Sequence, residues 1–129
     1  MPTISIVDDD VWARDGIRDL IESLGYNAPM FASAEEFLES GIITDTSCLI
    51  TDLQMQGLSG LDLQRQLLDQ GHSVPIIFVT AYPDDVRREQ ALNAGAIGFF
   101  TKPLDHRSFI DCVTFAVDPG HRNGAPRTA

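Results

Sequence analysis

The chain has 129 residues, enough for one domain with a real core. Nineteen Asp and Glu oppose nine Lys and Arg, a formal net charge of −10. That balance argues against a nucleic-acid-binding surface, which needs clustered cations to release counterions, and no apolar run approaches the roughly 20 residues that span a bilayer.

Residues 3–7 read as a first strand that runs into Asp8-Asp9-Asp10. The chain enters this strand without a secretory signal, which predicts a cytoplasmic protein. Asp10 is placed to cap a helix over 11–24, with Ile17, Leu20, Ile21 and Leu24 at helical spacing and Gly25 at its end. Residues 27–31 predict a short, weaker strand. Ser33-Ala34-Glu35-Glu36 has capping-box spacing and opens a short helix with Phe37 and Leu38 inward. A loop over 41–47 leads to a third strand ending at Asp52. Its apolar run predicts burial on both faces, as in a parallel sheet.

Residues 54–59 read as a second loop, with Gly57 and Gly60 permitting tight backbone. Leu61, Leu63, Leu67 and Leu68 mark a helix that ends near Gly71. A fourth strand near 75–80 leads to Pro83 at a helix start. That helix, about 84–94, is thinly apolar: Val86, Ala91, Leu92 and Ala94. A fifth strand lies near 97–101. Asp105 suits the cap of a last helix to about Val117, with Phe109, Ile110, Val113, Ala116 and Val117 on the core side and Phe115 nearly opposite. Pro119, Gly120, Gly124 and Pro126 break regular structure, so residues 118–129 read as a tail or linker after a domain over 1–117.

Strand and helix alternate five times with short connections. This predicts an α/β fold with a parallel sheet covered by helices on both faces. Cys48 and Cys112 form no Cys-x-x-Cys pair and read as buried thiols in a reducing compartment. His72, His106 and His121 have no ligand spacing, which argues against zinc.

Sites in open α/β sheets form beyond the carboxyl ends of the strands. Here those ends carry Asp8, Asp9, Asp52, Thr80 and Lys102: acids, a hydroxyl and an ammonium, the groups that hold a metal ion and a phosphoryl group. A charged Asp at the end of a buried strand is costly unless it is paired. Three neighbouring carboxylates raise one another's proton affinity, and a divalent cation relieves this.

Val7-Asp8-Asp9-Asp10, the strand end at Asp52, Met55-x-Gly57-x-Ser59-Gly60, Val79-Thr80-Ala81 and Lys102-Pro103 together resemble the response-regulator receiver domain of two-component signalling. The Asp-Leu-x-Met and Ser-Ala-Glu-x-Phe stretches resemble FixJ-type receivers. The resemblance covers residues 1 to about 117. It implies a doubly wound, flavodoxin-like (CheY-like) fold with strand order 2-1-3-4-5 and five helices.

It also implies a switch, not an enzyme, in which Asp52 accepts a phosphoryl group from a sensor histidine kinase. Mg²⁺ (or Mn²⁺) is bound by Asp9 and Asp52, by Asp8 through water, and by the backbone carbonyl of Gln54. Lys102 pairs with Asp52, the Lys102–Pro103 peptide is cis, and Thr80 and Phe99 read the modification, Phe99 by turning inward. Phe99 reads equally as a plain core aromatic. Gln54 and Tyr82 occupy positions that tune hydrolysis. The face of the fourth helix, fifth strand and last helix docks an output domain or a second copy, with no role for nucleic acid or membrane in this domain. One departure stands out: Gln56 replaces the proline usual after Met, which restores a backbone N–H.

Other readings fit less well. Asp8-x-Asp10 superficially matches a haloacid-dehalogenase-type phosphatase, but Trp12 replaces its small residue and no cap insertion is present. A ligand-binding flavodoxin-like protein or a non-phosphorylated interaction module shares the fold. Neither a G-x-x-x-x-G-K-[ST] loop nor a Gly-x-Ser-x-Gly turn occurs.

Overall fold

Five short runs form one parallel sheet in the order β2-β1-β3-β4-β5: β1 (Ile4–Val7), β2 (Met30–Phe31), β3 (Cys48–Asp52), β4 (Ile76–Thr80) and β5 (Gly98–Thr101). Five helices connect and follow them: α1 (Val11–Ser23), α2 (Ala34–Glu39), α3 (Gly60–Asp69), α4 (Asp85–Asn93) and α5 (His106–Val117). The computed structural model describes residues 2–117, and the tail expected over 118–129 lies outside the described residues. No helix among the described residues is long and apolar enough to cross a membrane.

β1, β3 and β4 are buried at every position, because helices cover both faces of the sheet. Two cores result. One joins Ile4, Ile6 and Ile50 to Ile17 and Ile21 of α1 and Phe109 and Val113 of α5. The other joins Val7, Leu49 and Phe78 to Phe37 of α2, Leu63 and Leu67 of α3 and Ala91 of α4. Each set comes from alternate strand residues, the period-two consequence of a pleated strand.

Several elements differ from the sequence expectation. The second strand shrinks to two residues, preceded by an isolated bridge between Thr3 and Asn27. Pro29 lies between them and has no N–H to give, although its carbonyl accepts from Ile6 N–H at 2.9 Å. The loop at 41–47 contains a 3-10 turn, Ile43–Asp45. The Thr46 hydroxyl follows it, donating to Ile42 O and pairing with Ser5 Oγ, both at 2.8 Å.

Pro83 does not start α4. Asp84 caps that helix, its Oδ1 accepting from Val86 and Arg87 N–H, and Pro83 precedes the cap. Leu68 is half-exposed, and the inward position falls to Gln64 instead, whose Nε2 donates to Ala91 O at 3.0 Å and ties α3 to α4. Val86 is also exposed, leaving Ala91 as the buried residue of α4. Phe115 is half-buried.

Gly60 positions α3 against the end of β3. Its N–H donates to Leu53 O at 3.0 Å, and a Cβ there collides with the Asp52 carbonyl and lies 2.9 Å from the Phe78 ring. Backbone cannot yield as a flexible side chain does. Gly60→Ala is expected to destabilise the fold by about 1–3 kcal/mol, as overpacking does. Urea denaturation checks this, and an unchanged midpoint contradicts it.

Candidate functional site

Strand register assembles the site. Val7 pairs with Thr51, Asp52 with Val79, and Thr80 with Thr101. The next residue of each chain segment therefore emerges at the same sheet edge, and Asp8, Asp52, Thr80 and Lys102 become neighbours there. Lys102 N–H donates to Thr80 O at 2.8 Å, which extends the β4–β5 pairing by one step. The Lys102–Pro103 peptide is cis.

Asp8 and Asp52 are buried, at 1% and 8% exposure, and Lys102 joins them. Its Nζ lies 2.9 Å from Asp8 Oδ2 and 3.3 Å from Asp52 Oδ2. The other carboxylate oxygens are held by backbone. Asp10 N–H donates to Asp8 Oδ1 at 2.9 Å, and Gln54 N–H donates to Asp52 Oδ1 at 3.2 Å. Arg14 Nη1 donates to the Asp8 carbonyl at 2.9 Å and fixes that backbone to α1. Asp10 itself caps α1, its Oδ1 accepting from Trp12 N–H at 3.0 Å.

Asp9 is exposed, and its Oδ2 accepts from Gln56 N–H at 3.1 Å. Thr80 is fully buried, and its Oγ1 accepts from Tyr82 N–H at 3.1 Å, which leaves the hydroxyl hydrogen to donate elsewhere. Tyr82 is 70% exposed. Phe99 already lies inward, 2% exposed and tilted against Phe78 at 6.3 Å, whereas the sequence reading has it turning inward. Gln54 is an exposed residue of the β3–α3 loop. Two contributors escape sequence reading. Glu35 accepts from Leu58 N–H at 3.3 Å and anchors the β3–α3 loop, and Arg14 braces Asp8. The capping-box spacing points to Glu36, which does serve α2, and no local pattern marks its neighbour.

Residues 4–114 match the family model of the response regulator receiver domain. The chain is 37% identical over 128 residues to the response regulator protein TodT of Pseudomonas putida, covering 98% of this chain and 56% of that protein. It is 36% identical over 115 residues to the transcriptional regulatory protein TdiR of Thauera aromatica, covering 89% of this chain and 51% of that one. The chain thus spans about half the length of these relatives. Among solved structures, the response regulator StyR is similar with a TM-score of 0.81 and 38% identity, over 90% of this chain and 59% of that one. FixJ-N is similar with a TM-score of 0.80 and 32% identity, over 91% and 94% of the two chains.

One ligand oxygen from each of Asp8, Asp9 and Asp52 lies within 4.8 Å of the others. Three carboxylates and one ammonium leave two uncompensated negative charges when all are ionised. Hard oxygen donors with that excess suit a divalent cation such as Mg²⁺. Burial, then the Asp8 charge, pushes the Asp52 carboxyl up; Lys102 and the Gln54 N–H oppose the rise without cancelling it. Burial pulls the Lys102 ammonium down, but its hydrogen bond and charge pairing with Asp8, and then Asp52, outweigh this and hold it above the ordinary lysine range.

Because the folded pocket raises Asp52, the fold favours its protonated form. That contribution is complete below the ordinary carboxylate value of about 3.9 and is lost as pH rises through the folded value. Asp52→Asn keeps the shape and removes the ionisation. Without divalent ions it is expected to melt a few degrees above wild type near neutral pH. The gap is expected to close as pH falls toward about 4. Thermal melts across pH check this, and a gap that persists on acidification counts against it.

Proposed function

The chain belongs to the response regulator receiver family of two-component systems, and from that premise we propose that it is a phosphorylation-controlled switch whose phosphoacceptor is Asp52. The observation that carries the proposal is the Lys102 ammonium bridging Asp8 and Asp52 at a strand-end cluster of three carboxylates.

A carboxylate oxygen of Asp52 attacks phosphorus of a phosphohistidine on a sensor kinase. The new O–P bond makes an acyl phosphate as the P–N bond breaks, and the imidazole nitrogen keeps the electron pair and takes up a proton. Phosphoryl transfer has a loose transition state, so positioning and charge neutralisation do most of the work. Bound Mg²⁺ supplies oxygen coordination and positive charge for the phosphoryl group. Asp9 and Asp52 would hold it, with Asp8 and the Gln54 carbonyl completing the set. Lys102 moves from pairing with the free carboxylate to pairing with phosphoryl oxygens. The Thr80 hydroxyl, already accepting from Tyr82 N–H, donates to one of those oxygens.

Tyr82, tied to Thr80 through its backbone, screens the acyl phosphate from water, and Gln54 beside Asp52 shares in setting its lifetime. Phe99 couples Thr80 to the β5 side. The moving element is α4, which buries only Ala91 of its residues and has little apolar contact to lose. Its face with β5 and α5 then engages an output domain or a second copy. The length of the relatives favours an output domain in a longer regulator.

Acetyl phosphate with Mg²⁺ is expected to add one phosphoryl group to the wild-type chain and none to Asp52→Asn, read by intact-mass spectrometry. In the same assay Tyr82→Ala is expected to lose the group faster. Modification of Asp52→Asn to the same extent overturns the assignment. A second measurement concerns α4. Beryllofluoride with Mg²⁺ is expected to change amide-exchange protection over residues 84–94 more than over α1, and equal protection with and without it removes α4 from the switch.

A further inference from the structure

We infer that the main-chain N–H of Gln56 is a positioning group for Asp9, so that the β3–α3 loop sets the geometry of one carboxylate in the cation site. The inference rests on the reading that the acid cluster binds a divalent cation.

The three carboxylates are restrained unequally. Asp8 and Asp52 are buried, each held by Lys102 and by a backbone N–H two residues further along. Asp9 is exposed and has neither restraint. Among the described residues, the hydrogen-bond donor to its carboxylate is Gln56 N–H, 3.1 Å from Oδ2 and 47 residues away in sequence. A free exposed Asp samples several rotamers, and one that must present a single oxygen to a cation loses that freedom on binding. The bond from Gln56 removes part of the cost in advance. It engages Oδ2, one of the two carboxylate oxygens.

The donor can position Asp9 only if the loop is itself fixed. Leu58 N–H donates to Glu35 Oε2 at 3.3 Å. Between the two bonds, Gly57 adopts φ +78° and packs so closely on Glu35 that a Cβ there lies 2.6 Å from the same oxygen. The loop is therefore strapped on one side to α2 and on the other to Asp9. The Gln56 side chain plays no part. Any residue with a backbone N–H serves, and proline, which has none, does not.

Mg²⁺ alone is titrated into the full chain by isothermal calorimetry. Gln56→Pro is expected to bind about threefold to tenfold more weakly than wild type, the scale of one ordinary hydrogen bond in an exposed position. Gln56→Ala, which keeps the N–H, is expected to match wild type. Equal affinity in wild type and Gln56→Pro overturns the inference and leaves the function reading standing, as does an equal loss in Gln56→Ala. Absence of Mg²⁺ binding by wild type overturns both. A measurement without metal stands beside these should Gln56→Pro misfold. The Gln56 amide is expected to exchange several-fold faster in Asp9→Ala than in wild type, and an unchanged rate shows that the bond restrains nothing.

Discussion

A single ammonium between two buried carboxylates governs this molecule. Asp8 and Asp52 close two adjacent central strands, where helices exclude water from both faces. Two such charges repel strongly in a medium of low polarity, and burial and the Asp8 charge push the Asp52 carboxyl up. Lys102, brought in on β5 by its backbone bond to Thr80, makes the arrangement tolerable without neutralising it. The remaining negative charge, on hard oxygen donors, suits the site to a divalent cation.

The rest of the fold serves that pairing. Parallel register delivers the strand ends to one edge. Gly60 lets α3 begin flush against the Asp52 carbonyl, and the Ser59–Asp62 capping box satisfies the first turn of that helix. Arg14 and Asp10 fasten Asp8 to α1, while Glu35 and Asp9 hold the β3–α3 loop. α4 is the exception: its contact with the core is narrow, and Gln64 reaches across to Ala91 to hold it.

Much of this was legible in the residues. Continuous apolar runs marked β1, β3 and β4, and Asp10 and Ser33 marked helix starts through local hydrogen-bonding chemistry. The sheet edge then united Asp8, Asp9, Asp52, Thr80 and Lys102 without any contact having been seen. Less legible was anything decided by tertiary packing. Leu68 helps to mark α3 but is half-exposed, whereas Gln64 is buried because its amide finds a carbonyl on α4. Pro83 looked like a first helical residue, yet Asp84 beside it offers an oxygen to two free N–H groups and wins the cap. Phe99 could not be assigned a side of the sheet, because Phe100 next to it is equally apolar and strands alternate; the two rings divide between the two cores.

The division of the interior by the sheet has a consequence for how messages pass. α1 and α5 pack in one compartment, α2, α3 and α4 in the other, with the strands as a septum between them. The acid cluster lies at the rim of the septum, at the carboxyl ends of β1 and β3. A displacement of α4 therefore disturbs one compartment directly and reaches α5 only across the septum or around its β5 edge.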